Sequence, residues 1–215
     1  QDVRTDSPNE TKASYIEDIK FGIRYLYNQK VLRRLVLTTA TIGVCYSAGT
    51  ATMVLFIIKE LELSPRYFGV VLSIQGVGAL LGAIVAPKAS KKFGRSIIMT
   101  LGITSSSVVL LLQGFASNIY IFLALATFGG FAISQWNILL MATYQRIIPN
   151  ELYGRIHGTR RTLVWGMMPI GSLIGGVLAH FSLRLPMLIG GFLASALAFA
   201  SIGFFMRLSA ETVRS

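Results

Sequence analysis

The chain has 215 residues, 53% of them hydrophobic and 13% charged, with a mean hydropathy of +0.62. A soluble domain carries roughly 25% charged residues, so this balance excludes an ordinary water-soluble globule and points to a chain solvated by lipid. The net charge of +11 would suggest nucleic acid in a soluble protein, but no basic patch interleaved with aromatics accompanies it, and no nucleic-acid partner is expected.

Residues 1–13 (QDVRTDSPNETKA) are polar and without periodicity, and read as a cytoplasmic linker. The first residue is Gln1 rather than Met, and the chain reads as a fragment of something longer. Over 14–30, Ile16, Ile19, Ile23, Leu26 and Tyr27 recur at helical spacing opposite Glu17, Asp18, Lys20 and Arg24. That predicts an amphipathic interfacial helix, or else a helix packed on the loops of a partner domain. Uncharged stretches follow, each long enough to cross roughly 30 Å of hydrocarbon, and the one from Ser96 to Gln145 is about twice the length of a span. Its reversal is placed at Gly114-Phe115-Ala116-Ser117-Asn118, a cluster suited to an exposed turn. The expectation is an all-α polytopic membrane protein: a six-helix bundle over 31–206 with spans near 35–58, 67–87, 96–114, 119–144, 160–182 and 185–206, then a tail over 207–215.

The charges are sorted by loop. Of 20 Lys and Arg, only Lys59, Arg66 and Arg184 fall in the alternate loops, which predicts both ends of the chain in the cytoplasm. All nine carboxylates, among them Glu60, Glu62 and Glu151, lie outside the spans, so an intramembrane proton or sodium relay of acidic type is not expected from this chain. Neither a metal site nor a hydrolytic centre is expected, because no His-Glu cluster is available to hold a metal and Cys45 stands alone. The chain is therefore read as no enzyme and as needing no cofactor.

Polar groups placed at membrane depth cost energy unless they pair or face a wet cavity. Span four carries the densest set, Gln135-Trp136-Asn137, with Asn137, Met141 and Tyr144 on one helical face. Two readings stay open, interhelical hydrogen bonding or a cavity for a bulky amphipathic ligand, to which Tyr46, Gln75 and Trp165 would add. Gly78 and Gly82, and Gly171 and Gly175, are each four residues apart, a spacing that lets helix backbones approach closely. His157 and His180 are too far apart along one helix to form a single site.

The run Gln145–Arg155 (QRIIPNELYGR), followed by Arg161-Thr162-Leu163 and by Trp165–Gly171 (WGMMPIG), resembles the major facilitator superfamily, and within it the bacterial efflux branch that includes macrolide and enterobactin exporters. The lead-in Phe21–Leu26 (FGIRYL) is similar to the same branch. The resemblance implies the C-terminal six-helix half of a two-half fold, with an N-terminal half, membrane lipids and a small-molecule substrate as partners, in a bacterial inner membrane. It implies a cavity lined by Tyr46, Gln75, Trp136, Asn137 and Trp165, and a cytoplasmic gate built from Lys91, Lys92, Gly94, Arg95, Glu151, Gly154 and Arg155. The family's usual acidic gate position is occupied here by Lys91, which departs from a carboxylate latch. Pro169 with Gly171 and Gly175 resembles the proline-glycine motif of antiporters and implies a kink and a sliding contact. The implied function is efflux of a drug- or siderophore-type compound by alternating access. A non-transporting scaffold and a lipid or lysolipid transporter are the alternatives.

Overall fold

The computed structural model describes the backbone over residues 8–212 and the side chains of Glu17 and of residues 19–208. The described chain is helical throughout: α1 (Pro8–Asn28), α2 (Lys30–Thr50), α3 (Met53–Lys59), α4 (Arg66–Phe93), α5 (Arg95–Gly114), α6 (Ile119–Ile147), α7 (Asn150–Gly166), α8 (Met168–Phe181), α9 (Leu185–Ala200) and α10 (Ile202–Thr212). Five helical runs are long and apolar enough to cross a bilayer: Lys30–Lys59, Arg66–Phe93, Arg95–Gly114, Ile119–Ile147 and Asn150–Phe181. A sixth is formed by Leu185–Ala200 with Ile202–Leu208, bent by 51°.

Several helices extend past the bounds read from the sequence, α1 and the fifth span among them. α1 begins at Pro8, inside the stretch read as a linker, because proline suits the first turn of a helix and a polar face is no obstacle where one side packs. Residues 1–7 of that linker lie outside the described residues. The fifth span begins at Asn150 rather than near 160, so its first three turns carry Glu151, Arg155, Arg160 and Arg161 on a continuous helix. It breaks at Met167, two residues before Pro169. Proline has no N–H to give the Trp165 carbonyl, and it sits in the first turn of α8, where that loss is tolerated.

The turn between α5 and α6 is closed by Asn118, whose Oδ1 accepts a hydrogen bond from the Ile121 N–H at 3.0 Å and so caps α6. Between α4 and α5 stands Gly94, at φ +93°, a backbone conformation that only glycine adopts without strain. α5 is the most buried span, with 61% of its apolar window covered, against 17% for α4 and for α7–α8. α5 is thus the hub, and α4 and α7–α8 leave apolar faces such as Leu80, Ile84, Leu173 and Val177 uncovered by this chain.

Close crossings join the spans. Gly78 and Gly82 of α4 lie against the backbone carbonyls of Thr127 and Phe131 in α6, and Gly171 and Gly175 of α8 lie against those of Val44 and Ala48 in α2. A Cβ at any of the four would fall on backbone, so glycine is what permits the contact. At the α2–α8 crossing the Ser47 hydroxyl also donates to the Met168 carbonyl at 2.8 Å. α1 lies along α7: Gly22 meets Thr159 and Arg155 stacks over Phe21 at 4.7 Å.

Candidate functional site

A cleft of about 550 Å³ opens between α2, α6 and α7, with Ile103 of α5 and Met168 of α8 at its margins. Tyr46 enters from α2, Trp136 and Asn137 from α6, and Trp165 from α7, so four of the five cavity residues named from the sequence share one cleft. Gln75 does not line it. Its own backbone carbonyl and side chain lie against Gly130 at the α4–α6 crossing, because the glycine contacts there turn that face of α4 into a packing surface.

The two tryptophans are held differently. Trp136 is 3% exposed and meets the Phe205 ring edge-on with centroids 5.2 Å apart, so most of its indole is core and only part borders the cleft. Trp165 is 56% exposed, and the Arg161 guanidinium lies over its ring at 4.1 Å. Asn137 is exposed, and Met141, one helical turn further on, lines the same wall; Tyr144, on the same face again, is fully buried.

The cleft also contains two arginines and a histidine, Arg160, Arg161 and His157, that were not assigned to it from the sequence. His157, Arg160, Arg161, Val164, Trp165 and Met168 recur at three- and four-residue intervals and form one stripe of the α7–α8 span. That stripe was the available signal: Arg160 and Arg161 keep helical register with Trp165, yet as charged residues next to a loop they read as loop. Arg160 is 5% exposed, with its guanidinium over the Tyr144 ring at 4.5 Å and its Nη2 at 4.0 Å from the Met141 sulfur. Among the described residues, no Asp or Glu lines the cleft.

The residues named for a gate gather at the end of the bundle where α4 meets α5 and α7 begins. Lys91 and Lys92 are exposed in the last turn of α4, and Gly94 makes the turn. Arg95 reaches across from α5 to the Ala142 carbonyl of α6 at 3.5 Å. Glu151 and Gly154 are exposed in the first turns of α7, and Arg155 faces α1 through its stacking on Phe21.

Comparison with known proteins places the chain. It is 27% identical over 181 residues to the uncharacterized MFS-type transporter YfmI of Bacillus subtilis (strain 168), covering 82% of this chain and 42% of that protein. It is 26% identical over 167 residues to the uncharacterized MFS-type transporter YkuC of the same organism, covering 76% of this chain and 38% of that protein. The chain thus spans less than half the length of these relatives. No solved structure matches it. The family model described as transmembrane secretion effector matches residues 3–213, and with six helical runs of membrane-spanning character around an amphipathic cleft, the chain belongs to that family of the major facilitator superfamily.

Proposed function

We propose that this chain is the C-terminal half of a secondary transporter that exports a small amphipathic compound by alternating access, the cleft between α2, α6 and α7 forming one wall of the path. The observation that carries this reading is the convergence of Tyr46, Asn137 and Trp165 from three spans on one open cleft, an apolar hollow with a few polar groups, as small-molecule sites require. A second wall would come from an N-terminal half, consistent with relatives about twice as long and with the uncovered faces of α4 and α7–α8. The sorting of Lys and Arg supports placing both chain ends in the cytoplasm of a bacterium, with the protein in its inner membrane. The end holding Lys91, Lys92, Gly94, Arg95, Glu151, Gly154 and Arg155 would then be the cytoplasmic gate. Every Asp and Glu lies outside the apolar windows, so the coupling ion would be carried by the other half.

The test is export by the complete protein in proteoliposomes, assayed on a panel of drugs, siderophores and lysolipids. Asn137→Ala and Trp165→Ala are each expected to lower flux of the accepted compound roughly ten-fold, the effect of about 1.4 kcal/mol. Unchanged flux in both variants contradicts the reading.

A further inference from the structure

Helix packing leaves Arg160 unexplained. Its side chain is 5% exposed, its Nε is buried with no hydrogen-bond partner, and no ion pair reaches it among the described residues. It lies ten residues into α7, ~15 Å from the helix start and two residues before the uncharged stretch that begins at Thr162. A guanidinium enclosed by protein without a counter-charge is costly, and a charge buried in that way calls for a ligand or partner to neutralise it. One neighbour on the same stripe adds to the field, and a second adds a polar ring. Arg161 is exposed over Trp165, and His157, one turn earlier, has a buried Nδ1 without a partner among the described residues. Stacking on Tyr144 fixes one face of the Arg160 guanidinium, while its planar fork of N–H donors suits the oxygens of a carboxylate or phosphate. The cleft therefore has a cationic end beside an apolar wall of Trp136, Met141, Trp165 and Met168, with no acidic group among the described residues to neutralise it.

Building on the transport reading above, we propose that the cleft selects amphipathic anions. A carboxylate- or phosphate-class head is seated on Arg160 with Arg161 beside it, and the apolar body lies against the indole and thioether wall. This chemistry is shared by water-borne organic acids and by single-chain acidic lipids.

The complete protein in phosphatidylcholine nanodiscs, with protein-free discs subtracted, is titrated with pyrenebutyrate, pyrenebutanol and pyrenebutylamine, which share one body and differ in charge. Tryptophan-to-pyrene energy transfer reports binding. Pyrenebutyrate is expected to bind about ten-fold tighter than the alcohol or more, and the amine most weakly. Arg160→Gln abolishes that preference, while retained binding of the alcohol, at whatever affinity, shows that the cleft is still formed. Arg161→Gln, at an exposed position, lowers the preference by several-fold without risk to the core. Equal binding of butyrate and alcohol by the unaltered protein overturns the proposal, and is also the outcome if a carboxylate from another segment of the complete protein already occupies Arg160. Survival of the preference in both variants overturns it as well. If none of the three probes binds, the cleft is not a cargo site and both readings fall; if the alcohol binds as well as the acid, only the anion proposal falls. Displacement of pyrenebutyrate by lysophosphatidate assigns the site to acidic lipids, and failure to displace assigns it to water-borne anions, the guanidinium site standing in both cases.

Discussion

Arg184 donates from Nε to Glu60 Oε2 at 2.8 Å, and its Nη1 donates to the carbonyls of Gly114 and Ala116 at 3.1 and 3.3 Å. One side chain thereby ties the ends of α3 and α5 to the turn between α8 and α9, at the end of the bundle opposite α1. The pair is about a third exposed, at 33% and 29%, so the ionic part is screened and contributes at most about 1 kcal/mol. The two carbonyls matter more. Arg184→Ala is expected to lower stability by about 1–3 kcal/mol and Glu60→Ala by less than ~1 kcal/mol, measured as thermal unfolding in detergent. Equal losses would place the stabilisation in the ion pair instead.

Neighbouring glycines should respond in opposite directions. A Cβ at Gly78 or Gly175 would meet the Thr127 or Ala48 backbone, whereas Gly76 and Gly176 have nothing within 4 Å. Gly78→Ala and Gly175→Ala should each cost about 1–3 kcal/mol by forcing helices apart. Gly76→Ala and Gly176→Ala should be neutral or gain up to ~1 kcal/mol from helix propensity. Melting temperatures of the four single variants in one detergent decide it.

The two cleft tryptophans separate stability from transport. Trp136→Ala removes a buried ring packed on Phe205 and should cost about 3–5 kcal/mol. Trp165→Ala removes an exposed ring and should leave the melting temperature almost unchanged while lowering flux. Comparable destabilisation by both would mean that Trp165 is a packing residue.

Gly94, at φ +93° and ψ 142°, holds the α4–α5 turn in a region essentially restricted to glycine. Gly94→Ala should cost of order 1–3 kcal/mol although no neighbouring atom blocks the added methyl closely, since Ile97 Cδ1 is 3.9 Å away. A melting temperature equal to that of the unaltered protein would show that the turn relaxes without penalty.

The helical, membrane-spanning character was legible in the sequence because window length and charge sorting are one-dimensional signals that do not depend on neighbours. What was not legible depends on packing partners distant in the chain. Gln75 and Asn137 look alike in sequence, two amides within apolar spans, yet glycine crossings turn one onto α6 and leave the other facing the cleft. Arg160 reads as loop because a charge ends an apolar window, and only the Tyr144 ring across from it shows that it is enclosed. The start of α1 at Pro8 was hidden for a related reason: a polar stretch becomes helical where its far end packs along α7.

The central claim is that the cleft between α2, α6 and α7 is reached from both sides of the membrane in turn. The most direct measurement is labelling of Asn137→Cys, in the complete protein otherwise free of cysteine, by a membrane-impermeant thiol reagent in right-side-out and in inverted vesicles. Alternating access through this cleft predicts labelling from each side, slowed in both cases by the transported compound. Labelling from one side only, or from neither, would contradict it.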